Sequence, residues 1–194
     1  MIVRLRWGGP VGAGCFPVDP DALDRLAAPA VYLRLKLYER GRTVAYAGQS
    51  VNLLSRIDQH LTRLLSFAQP LRDAEGDAWF TATREARFAA YNDLNETLAL
   101  ARAEAERTRF FYALCDDEFP PETLPLAEAA LILRLKEGEG PCENRIGAPI
   151  AGLDRRIAFE SVFEALADEE RARVEDLIGT APITLAPVEA IDAE

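Results

Sequence analysis

Five residues of this chain have types and spacings suited to phosphate and acid–base chemistry: Tyr32, Tyr46, Arg56, His60 and Glu128. A guanidinium presents a planar set of donors that matches a phosphate. An imidazole moves protons near neutral pH, and a carboxylate can hold a metal ion or take a proton. Taken singly, each has a plainer reading. A tyrosine in a strand is usually half-buried packing. Arg56 and His60, four residues apart on one helix, would ordinarily be solvated. Glu128 stands out, because Leu124, Leu131, Ile132 and Leu135 share its side of a helical run. A carboxylate among leucines needs a positive partner, a hydrogen-bond network or a metal, since burying it unpaired is costly. All three options stay open at this level.

The elements that would position these residues follow from hydropathy periodicity. Ile2 to Trp7 alternates apolar and charged like a half-buried strand, and Asp19-Pro20-Asp21 opens a short helix through Leu26. Val31 to Tyr38 alternates again, Glu39-Arg40-Gly41-Arg42 is a turn, and Thr43 to Ala47 resumes in β-prone residues. The pattern predicts a β-hairpin closed by Gly48. Ser50 is a good N-cap for an amphipathic helix over about 51–65. Leu53, Ile57, Leu61 and Leu64 share one face of it, and Asn52, Arg56, His60 and Arg63 share another. A loop around 70–76 and one long helix over about 83–107 come next. A strand over 109–115, an apolar helix over 124–136 and an irregular stretch over 138–149 follow. Two short helices, 158–167 and 168–178, and a frayed acidic tail complete the reading.

In combination these residues form an ordered series. Ala30-Val31-Tyr32 is followed, after thirteen intervening residues, by Tyr46-Ala47-Gly48, and then by Arg56, His60, Glu128-Ala-Ala-Leu-Ile-Leu and Asn144. This series resembles the GIY-YIG nuclease superfamily over about residues 29–65 and 109–146. Ala30, Val31 and Ala47 replace the family's apolar motif positions with other small or apolar residues. The resemblance implies an α+β fold with a small, mostly antiparallel three-stranded sheet flanked by helices. It implies a nuclease domain over 29–146 carrying a helical insert at about 66–108. An N-terminal extension (1–28) and an acidic helical C-terminal extension (147–194) would flank that domain.

The resemblance also implies an activity, a magnesium-dependent (or manganese-dependent) DNA endonuclease. Tyr32 would act as general base on the attacking water, and Arg56 would hold the scissile phosphate. His60 would accept the Tyr32 proton or position the phosphate, and Tyr46 would bond a phosphate oxygen or the water. Glu128 would carry the metal. Asn144 would bind backbone phosphate or hold Glu128 in place, with Asn52 and Ser50 as further substrate contacts.

Composition sets the outer bounds. The 194 residues are 49% apolar, enough for one ordinary domain with an insert. The net charge is -10, but residues 1–65 carry nine Arg/Lys against five Asp/Glu, and the remainder thirteen against twenty-seven. A local basic patch on an acidic exterior suits an enzyme that meets DNA at one site, not a protein that coats it. Cys15, Cys115 and Cys142 are odd in number and far apart, and His60 is the single histidine. A disulfide framework or structural zinc is therefore not expected, and a reducing cytoplasm is the natural setting. No membrane span or signal peptide is indicated. A chain of this size without a further DNA-binding module fits a restriction or other defence enzyme, and double-strand cutting from one site per chain favours a homodimer. The alternative is an inactive DNA-binding or protein-interaction module, with the tyrosines and Glu128 structural.

Overall fold

The computed structural model describes residues 1–138, 140–144 and 153–187. Strands β1 (Ile2–Val11), β2 (Ala30–Leu37), β3 (Thr43–Ser50), β6 (Thr108–Leu114), β7 (Ile157–Val162) and β8 (Ile183–Leu185) form one mixed sheet. Their spatial order is β3-β2-β6-β1-β7-β8. A separate small hairpin, β4 (Leu71–Arg72) and β5 (Ala78–Phe80), lies in the insert, where a loop was expected.

The sheet corrects the sequence-based expectation of a small three-stranded antiparallel sheet. That unit is only the β3-β2-β6 part of a six-stranded one. β1 adds antiparallel to β6, β7 adds parallel to β1, and β8 adds antiparallel to β7. The two ends of the chain therefore complete the sheet. The segment expected as a helix over 158–167 begins with β7, whose Ile157 and Phe159 are buried. Its Ala- and Glu-rich composition favours a helix, and pairing with the distant β1 overrides that preference. The helix expected over 168–178 is present as α6 (Asp168–Ile178). The tail beyond 187, and 139 and 145–149 of the irregular stretch, lie outside the described residues.

The two faces of the sheet are covered differently. On one, Val31, Leu33 and Leu35 of β2, Ala45 and Ala47 of β3, and Val3, Leu5 and Trp7 of β1 pack against α5 (Leu124–Glu137) and α6. On the other, Ala30, Tyr32 and Phe110 pack against Leu53 and Ile57 of α2 (Leu53–Leu65), with Leu26 just beyond α1 (Pro20–Arg25). The insert lies beyond α2. It is not one long helix but two, α3 (Arg84–Ala90) and α4 (Leu94–Arg107). The break falls at Tyr91-Asn92-Asp93, where Asn and Asp side chains compete for backbone hydrogen bonds. The Thr97 hydroxyl donates to the Asp93 carbonyl at 2.9 Å and stitches the turn.

β2 is buried on both faces. Its alternation of apolar and polar residues is as expected, but the polar side does not face water. α2 and the insert cover it, so Tyr32, Arg34 and Lys36 are interior residues. The three cysteines are free. Among the described residues, no helix is long and apolar enough to cross a membrane.

Candidate active site

The register of the β2–β3 hairpin pairs Arg34 with Tyr46 and Tyr32 with Gly48. Tyr32, Arg34 and Tyr46 therefore project to the face that α2 covers. The buried stripe of α2 is Leu53, Ile57, His60 and Leu64. His60 thus lies on the apolar face, against the expected polar one, because its position continues the helical repeat of Leu53 and Ile57. The three rings converge, with Tyr32–His60 centroids 5.7 Å apart and Tyr46–His60 centroids 5.8 Å apart. The Arg34 guanidinium lies 4.8 Å from the centre of the Tyr46 ring, within cation–π range.

His60 is bonded on both ring nitrogens. Its Nε2 lies 2.8 Å from Tyr32 Oη, and its Nδ1 lies 2.8 Å from Arg34 Nη1. A guanidinium has only donors, so Nδ1 accepts. In the neutral ring the hydrogen then sits on Nε2 and is donated to Tyr32. Burial lowers the His60 pKa to about 3, and the charges of Arg34, Arg56, Arg63 and Lys36 push the same way. With Nδ1 facing a guanidinium and the ring neutral, the arrangement offers Tyr32 a donor at Nε2. Burial, Tyr46 and Glu128 push the Tyr32 phenol well above its ordinary range, against the opposing pull of Arg56 and Arg34.

Glu128 approaches from the opposite side of the sheet, on α5. Gln49, the β3 residue that follows Gly48, donates from Nε2 to Glu128 Oε2 at 3.0 Å. The partner of the carboxylate is thus an amide, with Arg56 acting at longer range. Burial raises the Glu128 pKa, partly offset by Gln49 and Arg56. Arg56 reaches both sides, since it also favours the phenolate of Tyr32. The site therefore wraps around edge strand β3 at Gly48, where no side chain intervenes. A β-carbon on Gly48 would lie 2.5 Å from Tyr32 Oη and 2.9 Å from Tyr46 Cε1. Gly48→Ala is expected to cost about 1–3 kcal/mol through overpacking and to displace the Tyr32 hydroxyl. Thermal unfolding, together with loss of any DNA cleavage, checks this.

The other three expected contact residues bond backbone in this structure. Asn144 accepts from the Ala47 amide at 2.9 Å and donates to the Ala47 carbonyl at 2.8 Å. Both ends of its side chain are used to clip the 141–144 segment along β3. Asn52, not Ser50, caps α2, accepting from the Ser55 amide. The Ser50 hydroxyl donates to the Asn52 carbonyl at 2.7 Å and accepts from the Asn52 amide. These three residues hold backbone in place.

The sequence reading missed a buried network behind Tyr32. Arg34 Nη2 donates to Glu143 Oε2, and Lys36 Nζ and Arg72 Nη2 lie 3.8 and 3.5 Å from Glu143 Oε1. Burial alone would raise the Glu143 carboxyl, but Lys36, Arg34 and Arg72 together hold it below the usual range. Lys36 Nζ also stands 2.8 Å from Glu104 Oε2 of α4, too bent for a hydrogen bond. Tyr38 donates to Glu104 Oε1 at 2.8 Å. The alternation that placed Arg34 and Lys36 beside Tyr32 was visible, but no local signal marked their partners Glu104 and Glu143.

No family model, curated protein or solved structure matches the chain.

Among the described residues, no group of three or more His, Cys, Asp or Glu side chains is placed to hold a metal. Magnesium is commonly held by one or two carboxylates, its waters and a substrate phosphate, so a lone glutamate is not disqualifying. Glu128 fits such a role: its carboxyl is half-buried and held above its ordinary pKa, and a nearby cation would relieve that.

Acid should weaken this site through His60. Below about pH 6.5 the unfolded chain protonates its histidine, whereas the folded protein resists until about pH 3. The unfolded state binds more protons in that window, so stability falls as pH falls, by on the order of 4 kcal/mol at the lower end. Urea unfolding of wild type and His60→Gln across the window checks this, with the gap between them closing as pH drops.

Proposed function

We propose that the chain is a divalent-metal-dependent DNA endonuclease that hydrolyses phosphodiester bonds in the manner of GIY-YIG nucleases. The observation that carries this is the convergence of Tyr32, Tyr46, Arg56, His60 and Glu128 around Gly48. They come from four elements, and their order along the chain is that of the nuclease motifs. The surroundings suit an anion: Arg34, Lys36 and Arg72 outnumber the carboxylates Glu104 and Glu143 that they face. Arg56 and Arg63 add to the positive potential at His60.

In this reading the scissile phosphate lies against Arg56 and Tyr46, which remain partly accessible. The Arg56 guanidinium offsets the charge that builds on the phosphoryl oxygens. Tyr32, as phenolate, takes a proton from the attacking water while the water oxygen bonds to phosphorus and the 3′-oxygen departs. The Nε2–H of His60 stabilises the phenolate by donating to it. A metal ion at Glu128 would supply Lewis acidity and charge stabilisation for the departing oxygen. A restriction or other defence role, acting as a homodimer for double-strand cuts, suits a chain with one such site.

A binding module without activity is the second reading. It is favoured by the 1% exposure of Tyr32, which keeps the phenol protonated. Incubation with supercoiled plasmid in magnesium or in EDTA separates the two. Relaxed or linear DNA in magnesium alone supports the nuclease. Intact DNA with magnesium and with manganese, across several substrates, overturns it.

A further inference from the structure

We infer that Arg34 is a positioning residue for this site: by donating to Nδ1 of His60 it fixes the imidazole tautomer whose Nε2–H is aimed at Tyr32 Oη. The inference rests on the nuclease reading for its catalytic consequence, but the tautomer itself stands on geometry. Arg34 Nη1 and Tyr32 Oη occupy the two ring nitrogens at 2.8 Å each. Gln69 Nε2 also approaches Nδ1, at 3.3 Å. An amide can turn its oxygen to the ring and accept a hydrogen, whereas a guanidinium cannot accept. Arg34, not Gln69, therefore decides which nitrogen carries the hydrogen.

The guanidinium is itself fixed. Its Nη2 is held by Glu143, its Nη1 also donates to Gln69 Oε1 at 3.3 Å, and its Cζ lies over the Tyr46 ring. The residue is 5% exposed, so water does not compete for the bond to His60. Glu143 is held in turn, because its amide donates to the Ala45 carbonyl at 2.8 Å and the neighbouring Asn144 clips the same segment to β3. A chain of contacts thus runs from the β3 edge through Glu143, Arg34 and His60 to the Tyr32 oxygen. With the opposite tautomer, a bare Nε2 would accept from the Tyr32 hydroxyl and would repel a phenolate. The Arg34 contact excludes that arrangement.

His60 is the single histidine of the chain, so its two imidazole nitrogens give an unobscured long-range proton–nitrogen-15 spectrum. At neutral pH wild type is expected to show a bare Nδ1 and a protonated Nε2. A protonated Nδ1, or an imidazolium, overturns the inference whether or not the protein cuts DNA. Arg34→Met should scramble the tautomers and lower kcat roughly 100-fold or more, with KM for DNA little changed. An unchanged tautomer in that variant overturns the inference. If Arg34→Met fails to fold, Glu143→Gln, which loosens the guanidinium while keeping its volume, should broaden or shift the Nδ1 signal and lower kcat by a smaller factor. If Glu143→Gln leaves both unchanged, the relay is wrong. Loss of rate with rescue by Arg34→Lys, which keeps a donor and a charge, is the further outcome expected of a positioning role. Absence of cleavage in wild type with the expected tautomer intact would instead remove the nuclease reading alone.

Discussion

Tyr32→Phe should lower DNA cleavage by roughly 10²–10⁴-fold, the usual contribution of general acid–base catalysis, while the protein stays folded. The ring would remain packed beside Phe110, whose centroid lies 6.1 Å away, and over Gly48. Only the hydroxyl is lost, leaving the Nε2–H of His60 without its acceptor, at a cost of about 1–3 kcal/mol. A general-base role adds a second signature. Burial holds the phenol above its ordinary range, so the phenolate is a minor species at neutral pH and grows tenfold for each unit of added alkalinity. Single-turnover rates of wild type should rise accordingly from about pH 6 to about pH 9, and the residual rate of Tyr32→Phe should not follow that slope. Full activity in the variant would remove Tyr32 from the chemistry and leave its hydroxyl as a packing partner of His60.

The largest effect on stability is expected at Lys36 and Glu104. Both are buried, at 1% and 0% side-chain exposure, with 2.8 Å between them. Lys36→Met alone strands the Glu104 carboxylate without its nearest cation, and breaking a buried pair in this way costs about 3–5 kcal/mol. Arg107, 4.0 Å away, is too distant to replace it fully. Removing both charges as Lys36→Met with Glu104→Leu should recover most of that loss, because a well-packed apolar pair is often no worse than a buried ion pair. The residual cost is the Tyr38 hydroxyl, which donates to Glu104 and would lose its acceptor, together with the loss of Lys36 as a cation beside Glu143. Urea midpoints of the two single variants and the double variant decide the matter. A double variant as unstable as the sum of the singles would mean that the pair contributes little by mutual attraction. Because Glu104 belongs to α4, the same experiment reports how firmly the insert is tied to β2.

What could be read in advance divides along local and non-local lines. The hairpin of β2 and β3, the helix after it and α5 came from periodicity and turn residues, which are local properties. β7 was not legible, because Ala158 and Glu160 favour a helix and only its pairing with β1 makes it a strand. The size of the sheet followed from that same long-range pairing. At the site, the motif order brought forward Tyr32, Tyr46, Arg56, His60 and Glu128. It grouped His60 with the polar residues Asn52, Arg56 and Arg63, although position 60 also continues the repeat of Leu53, Ile57 and Leu64 that is buried. Arg34 escaped notice for a related reason. In an alternating strand, a charged residue reads as solvent-facing until another layer, here α2 and the insert, is known to cover it. Asn144, Asn52 and Ser50 are polar and suitably placed in sequence, yet each spends its hydrogen bonds on backbone.

The most direct test of the account is cleavage of one supercoiled plasmid in magnesium by wild type and by Glu128→Ala, side by side, with folding of both checked by circular dichroism. The account predicts nicked or linear DNA with wild type, none in EDTA, and none with Glu128→Ala at equal concentration. Equal cutting by Glu128→Ala would contradict the assignment of the metal-dependent step to this carboxylate, and intact DNA with a folded wild type would contradict the nuclease itself.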